Sequence, residues 1–279
     1  MALLAELGWT WLALLGLALV ATGVLAGLLA GLLGVGGGIV IVPALYHLFA
    51  LLDIDPAVRM HMAVGTSLAT IIATSLRSAR AHQAKGSLDA PLLRSIGSAV
   101  LLGAVAGGWL GSAMDGLILS TVFAVVALAV AAQMALGAET AAIRDRLPGR
   151  SVRTLLGTLI GALSAVMGIG GGTLGVPALS LCNYPIRQAV GTASALGVLI
   201  GVPGTIGFAI AGLGVDGRPP GSLGYVNLVG FALIVPLTVS MAPVGAALAH
   251  RMAPALLRRL FSVFLALTAL RMLIDLGAG

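Results

Sequence analysis

Residues 34–45 read GVGGGIVIVPAL, and residues 168–179 read GIGGGTLGVPAL. Each stretch sets three consecutive glycines ahead of an apolar run. A glycine in a helix interior costs about 1 kcal/mol relative to alanine. A GxGGG run is therefore a helix break, and the residues after it start a new helix. The apolar blocks flanking the second copy, 154–167 and 173–183, would extend only about 21 Å and 16 Å as helices. A hydrocarbon core is about 30 Å thick. Residues 154–183 are thus expected to form a re-entrant hairpin of two half-helices, with the glycine loop deep in a membrane.

The rest of the chain supports a membrane setting. Of 279 residues, 59% are hydrophobic and 9% are charged, and the mean hydropathy is +1.12. A soluble domain carries about 25% charged residues, and disordered chains are poor in apolar residues. Further apolar blocks fall at 9–33, 39–52, 62–76, 95–114, 117–138, 189–212, 224–249 and 254–274. Forty glycines point to close helix packing and deliberate backbone breaks. The most polar stretch, 139–153, contains Glu139, Arg144, Asp145, Arg146, Arg150 and Arg153 and reads as a linker.

The two glycine stretches are one element of a longer repeat. They lie at an offset of 134. Downstream, Ala63-Val64-Gly65-Thr66-Ser67 matches Ala189-Val190-Gly191-Thr192-Ala193. At an offset of 138, Gly107, Met114, Leu119 and Phe123 meet Gly245, Met252, Leu257 and Phe261. This predicts a first transmembrane repeat over 1–138, a linker over 139–153 and a second repeat over 154–279.

Charge then orients the halves. Arg77, Arg80, Lys85 and Arg94 follow the Gly-Thr segment of half one, where half two has only Arg218 beside Asp216. In the third segment the bias reverses, with His250, Arg251, Arg258 and Arg259 aligned to Ser112, Ala113, Ser120 and Thr121. By the positive-inside rule the halves are expected to be inverted. Each would contribute a hairpin and three crossings, with the linker cytoplasmic. The expected fold is all-α and polytopic, the inverted-repeat plan of many secondary transporters. Residues 9–33 are also long enough to cross alone, so the hairpin of half one rests on symmetry with half two.

Backbone groups at membrane depth are tolerated only inside protein or beside a watery cavity. Helices beginning at Ile39 and Thr173 would aim their N-termini at the midplane. Such ends carry free N–H groups and about half a positive charge, which suits an anion. The candidate binding residues are Gly36, Gly37, Gly38, Gly170, Gly171 and Gly172, with hydroxyls from Thr66, Ser67, Thr192 and Ser194. Arg59 and Arg187 read either as anion clamps or as snorkelling interfacial residues. Pro43 and Pro177 would kink the half-helices or fix their packing. Trp9, Trp11 and Tyr225 read as interface anchors. Asp53 and Asp55 read as a polar turn.

Other classes lack their residues. The four histidines have no metal-ligand spacing, and Cys182 is the one cysteine. No metal, cofactor or catalytic residue is expected. No carboxylate interrupts an apolar block, so an intramembrane proton relay is not indicated. No Walker A motif is present, and no βαβ pattern surrounds GVGGG. The net charge of +6 is explained by cytoplasmic basic loops rather than nucleic acid. The N-terminus has no basic leader and reads as retained. The expected partners are a small anionic substrate and the lipid bilayer, and a homo-oligomer is compatible with the sequence.

GLLGVGGGIVIVPAL and SAVMGIGGGTLGVPAL, each followed by AVGT, resemble the two signature segments of the TauE/SafE sulfite exporter family. The resemblance extends over nearly the whole chain. It implies a bacterial-type inner-membrane permease for small sulfur-containing anions such as sulfite or organosulfonates. It carries over to the loops 36–38 and 170–172 and to positions 65–66 and 191–192. The expected function is export of such an anion, bound at the midplane and moved by alternating access. The alternatives are an anion channel or importer of the same fold, or a non-transporting scaffold.

Overall fold

The computed structural model describes residues 9–135, 149–249, 251 and 254–277. Most of the predicted linker and Met252 lie outside this set, as do the side chains of Trp9 and Trp11.

Ten helices form the described chain. Half one contains α1 (Trp9–Leu33), α2 (Gly38–Leu51), α3 (Pro56–Ala84), α4 (Ala90–Ala113) and α5 (Gly116–Ala135). Half two contains α6 (Arg150–Met167), α7 (Gly171–Ser180), α8 (Ile186–Ala211), α9 (Leu228–Ala249) and α10 (Pro254–Gly277). A short antiparallel hairpin, β1 (Ser222–Leu223) and β2 (Val226–Asn227), pairs Ser222 with Asn227 and Leu223 with Val226 before α9. Among the described residues, five helices are long and apolar enough to cross a membrane. They are α4, α5, α8, α9 and the Gly16–Leu33 part of α1. Leu102, Trp109, Leu110, Ile206 and Leu267 are exposed on the outer surface. With no water to satisfy polar groups in lipid, an apolar exterior is the expected arrangement.

The chain breaks at both glycine runs. The arms on either side are unequal. The leading helices α1 and α6 have 25 and 18 residues, about 37 Å and 27 Å at 1.5 Å per residue. The trailing helices α2 and α7 have 14 and 10 residues, about 21 Å and 15 Å. Of the four arms, α1 alone contains a stretch long and apolar enough to cross, while α6 falls slightly short and the trailing arms reach little beyond half the thickness of the hydrocarbon core. Each trailing arm keeps its proline, Pro43 or Pro177, inside the helix.

The third helix is longer than its apolar block. Asp55 caps α3 by accepting from Ala57 N–H at 2.9 Å, and Pro56 occupies the first turn. These polar terminal turns lie outside the hydropathy pattern of 62–76 but continue the helix. Asp89 caps α4 in the same way, accepting from Leu92 N–H at 2.9 Å.

Packing links the halves symmetrically. Helix α1 lies against α9, and α6 lies against α4, while α3 packs on α8 and α5 on α10. Small residues make the first two contacts. A methyl group at Gly31 would lie 2.0 Å from Ala242 O, and one at Gly245 would lie 2.1 Å from Leu28 O. In the other pair, Gly161 faces Val100 O at 2.1 Å and Gly103 faces Thr158 O at 2.0 Å by the same measure. Such crossings let backbones approach and gain dispersion contacts, the main driving force between helices in lipid.

Candidate functional site

Each glycine loop is built by local backbone geometry. In the first, Gly36 and Gly37 adopt φ of 70° and 83°, a region nearly closed to other residues. The Gly37 carbonyl accepts from Val40 N–H at 3.0 Å and Ile41 N–H at 3.2 Å, which starts α2. In the second, Gly168 ends α6 at φ 69°, and Ile169 N–H turns back to Ser164 O at 2.9 Å. Gly170 opens α7, accepting from Thr173 N–H at 3.3 Å.

The loops meet each other. Gly170 N–H donates to Val35 O at 3.1 Å. A methyl group at Gly170 would stand 2.2 Å from Val35 O, and one at Gly38 would stand 2.4 Å from Gly168 O. Gly172 is equally close to the Gly34 carbonyl group, at 2.4 Å. The starts of α2 and α7 are thus brought together in the buried interior, along with all six predicted loop glycines. Their leading N–H groups fall outside the helices' own ladders.

Of the predicted hydroxyls, two reach this contact. Ser67 Oγ donates to Gly168 O at 2.7 Å, tying α3 to the second loop. Ser194 Oγ borders the first loop, 2.9 Å from where a Cβ on Gly34 would lie. It donates to Val190 O at 3.0 Å and hydrogen-bonds Ser78 Oγ at 3.1 Å. Thr66 and Thr192 are placed elsewhere. Thr66 Oγ1 accepts from Asn227 N–H at 2.8 Å, and Thr192 Oγ1 accepts from Asp89 N–H at 3.0 Å. Asn227 in turn caps α9 through Gly230 N–H at 2.7 Å. The two threonines therefore seat the residues that cap α9 and α4, in matching fashion.

The arginines also lie away from the loops. Arg59 donates to Ile54 O at 2.8 Å, and its guanidinium lies 5.9 Å from the Tyr46 ring centre. Arg187 is exposed in the first turn of α8. Each stands about 10–12 Å along its helix from the loop contact, at 1.5 Å per residue. Tyr225 is buried rather than interfacial, stacked 4.8 Å from His61. The hairpin folds its ring inward, which hydropathy alone does not reveal.

Three buried hydroxyls near the loops were not singled out from sequence. Ser75 Oγ, Ser164 Oγ and Thr173 Oγ1 have no hydrogen-bond partner. Ser75 and Ser78 were legible as helical continuations of Ser67, at i+8 and i+11 on one face of α3. That face extends to His82, whose Nε2 hydrogen-bonds Gly31 O at 2.9 Å. Lys85 beyond it donates to Ala246 O at 3.0 Å.

No Asp, Glu, Lys or Arg occurs in α2, in α7, in residues 60–76 of α3 or in residues 188–211 of α8. The site offers dipoles and hydroxyls rather than charges. Outside the helices, the Tyr184 hydroxyl donates to Asp89 and links the two halves. Burial raises its pKa above the ordinary tyrosine range, and the hydrogen bond to Asp89 adds to the shift. Among the described residues, no group of three or more His, Cys, Asp or Glu is placed to hold a metal ion.

Comparison with known proteins fits this architecture. A "Probable membrane transporter protein" of Haemophilus influenzae is 33% identical over 254 residues, covering 90% of this chain and 95% of its own length. One of Methanocaldococcus jannaschii is 29% identical over 258 residues, covering 92% and 94%. One of Bacillus subtilis is 30% identical over 215 residues, covering 70% and 78%. No solved structure matches. The family model described as "Sulfite exporter TauE/SafE" matches residues 19–272, and the chain belongs to that family.

Proposed function

We propose that this protein is a secondary transporter that exports a small sulfur oxyanion, sulfite or a short organosulfonate, across a bacterial-type inner membrane. The observation that carries this reading is the contact between the two helix-breaking loops, with Gly170 N–H bonded to Val35 O. It gathers the positive ends of α2 and α7 where an anion can use both. Family membership supports the sulfur chemistry.

The mechanism follows from the pairing of halves. If they are inverted, as the arginine distribution implies, the loops occupy the pivot of a rocking-bundle transporter. Parting the halves on one side would expose the loop N–H groups to that side. Closing them would return the loops to the contact described. A channel needs a continuous path, and the backbone contact between loops favours a carrier. With the cell interior negative, expelling one negative charge gains about 2.3 kcal/mol per 100 mV, so export needs no coupling ion.

The test is counterflow in proteoliposomes. Vesicles loaded with unlabelled sulfite should accumulate external radiolabelled sulfite in a saturable, protein-dependent manner. A non-saturating flux would indicate a channel, and no flux with any small sulfur oxyanion would indicate a scaffold.

A further inference from the structure

Two buried hydroxyls at the loop contact have no hydrogen-bond partner in the protein. Ser75 is 0% exposed and Thr173 is 1% exposed. Neither Ser75 Oγ nor Thr173 Oγ1 forms a hydrogen bond. Buried polar groups are nearly always satisfied, so each orphan needs an explanation. Their positions supply one. A Cβ on Gly36 would lie 2.8 Å from Ser75 Oγ, and one on Gly197 would lie 2.2 Å from it. Gly171 lies beside Gly197 in turn, its added Cβ standing 3.3 Å from Gly197 N. Ser75 therefore sits between the first loop and the side of α8 that carries the start of α7. Thr173 belongs to the first turn of α7 itself.

We propose that Ser75 and Thr173, together with the leading N–H groups of α2 and α7, form a charge-free subsite that takes a monoanionic sulfur oxyanion, hydrogen sulfite or an alkanesulfonate, in preference to dianions such as sulfate and fully deprotonated sulfite. This rests on the transport reading and specifies its substrate class. The side chains nearest the loop glycines include Ala26, Ile71, Ser75, Val64, Ser194 and Leu196, none of them charged. The four segments that meet at the loops contain no Asp, Glu, Lys or Arg. Hydroxyls and helix ends can replace the hydration of a single spread charge. The cost of burying an ion grows with the square of its charge, so a dianion costs about four times as much. No Lys or Arg within those segments offsets a second charge, so the larger burial cost of a dianion is met by dipoles alone.

Methanesulfonate and sulfate separate charge from shape, being alike in size and differing in charge. The experiment is counterflow of radiolabelled methanesulfonate by the full chain in proteoliposomes, with unlabelled competitors. Ethanesulfonate should compete, and sulfate and ethanedisulfonate should compete at least about a hundredfold more weakly. Ser75→Ala and Thr173→Val should each weaken half-saturation about tenfold, the worth of one hydrogen bond to a charged group. Thr173→Ser keeps the hydroxyl and should retain near-normal affinity. Gel filtration and proteoliposome content establish that each variant is folded and inserted. Equal competition by sulfate would overturn the charge selectivity. Unchanged affinity in the folded Ser75→Ala, Thr173→Val double variant would overturn the subsite. If the wild-type chain exchanges no sulfur oxyanion of either charge, the transport reading itself fails and the subsite fails with it.

Discussion

At the residue scale, a single methyl group probes the loop contact. Gly170→Ala would place a carbon 2.2 Å from Val35 O, and the rigid backbone there cannot yield as a side-chain tip would. The expected loss is about 1–3 kcal/mol, as for other overpacked sites. Gly16→Ala, with nothing within 4 Å, should be neutral or slightly stabilising. Thermal unfolding in detergent distinguishes the two, and equal midpoints would count against the loop contact. Thr66→Val with Thr192→Val leaves the N–H groups of Asn227 and Asp89 without acceptors. Each orphan costs about 1–3 kcal/mol. The double variant should lower the unfolding midpoint while the half-saturation constant of surviving protein stays near normal. A large change in half-saturation with no loss of stability would return both threonines to the binding site. Tyr184 gives a pH effect. Its raised pKa means that its stabilising share is intact below the ordinary tyrosine range and lost as pH climbs through the folded value. Tyr184→Phe should therefore flatten the alkaline fall in unfolding midpoint.

At the element scale, the breaks before α2 and α7 were legible because consecutive glycines oppose helix whatever surrounds them. The relative lengths of the arms were not. Helix α1 is uniformly apolar and gives no internal boundary, and α6 begins at Arg150, within the predicted linker. The polar ends of α3 were likewise hidden from hydropathy, since caps and arginines continue a helix without adding apolar residues. The threonines were legible as buried hydroxyls, but what they bind depends on a hairpin and a loop from distant sequence. The glycine crossings yield a prediction at this scale. Gly161→Leu would drive a side chain into Val100 O, 2.1 Å from its Cβ, and Gly31→Leu would do the same at Ala242 O. Both should abolish monodisperse protein in gel filtration, because the atoms nearest each added Cβ are backbone atoms of the facing helix. A monodisperse Gly161→Leu protein would show that this crossing is not a tight one.

At the scale of the whole molecule, the account depends on two halves facing opposite ways. Helices α3 and α8 then begin on opposite faces of the membrane. In a Cys182→Ser background, Ala57→Cys should react with an impermeant thiol reagent from outside the cell, and Gln188→Cys only after the membrane is opened. Both positions are exposed, so the same labelling pattern for both would refute inversion. The repeat and its charge asymmetry are what predict this orientation from sequence. The direct contact of the loops was not readable, because it is a tertiary arrangement between residues more than a hundred positions apart. The most direct measurement is a cryo-electron microscopy map of the protein in lipid nanodiscs with methanesulfonate. The account predicts that the loops at 36–38 and 170–172 part around ligand density that lies within hydrogen-bond reach of Ser75 and Thr173. Unbroken helices through both glycine runs, or ligand density away from them, would contradict it.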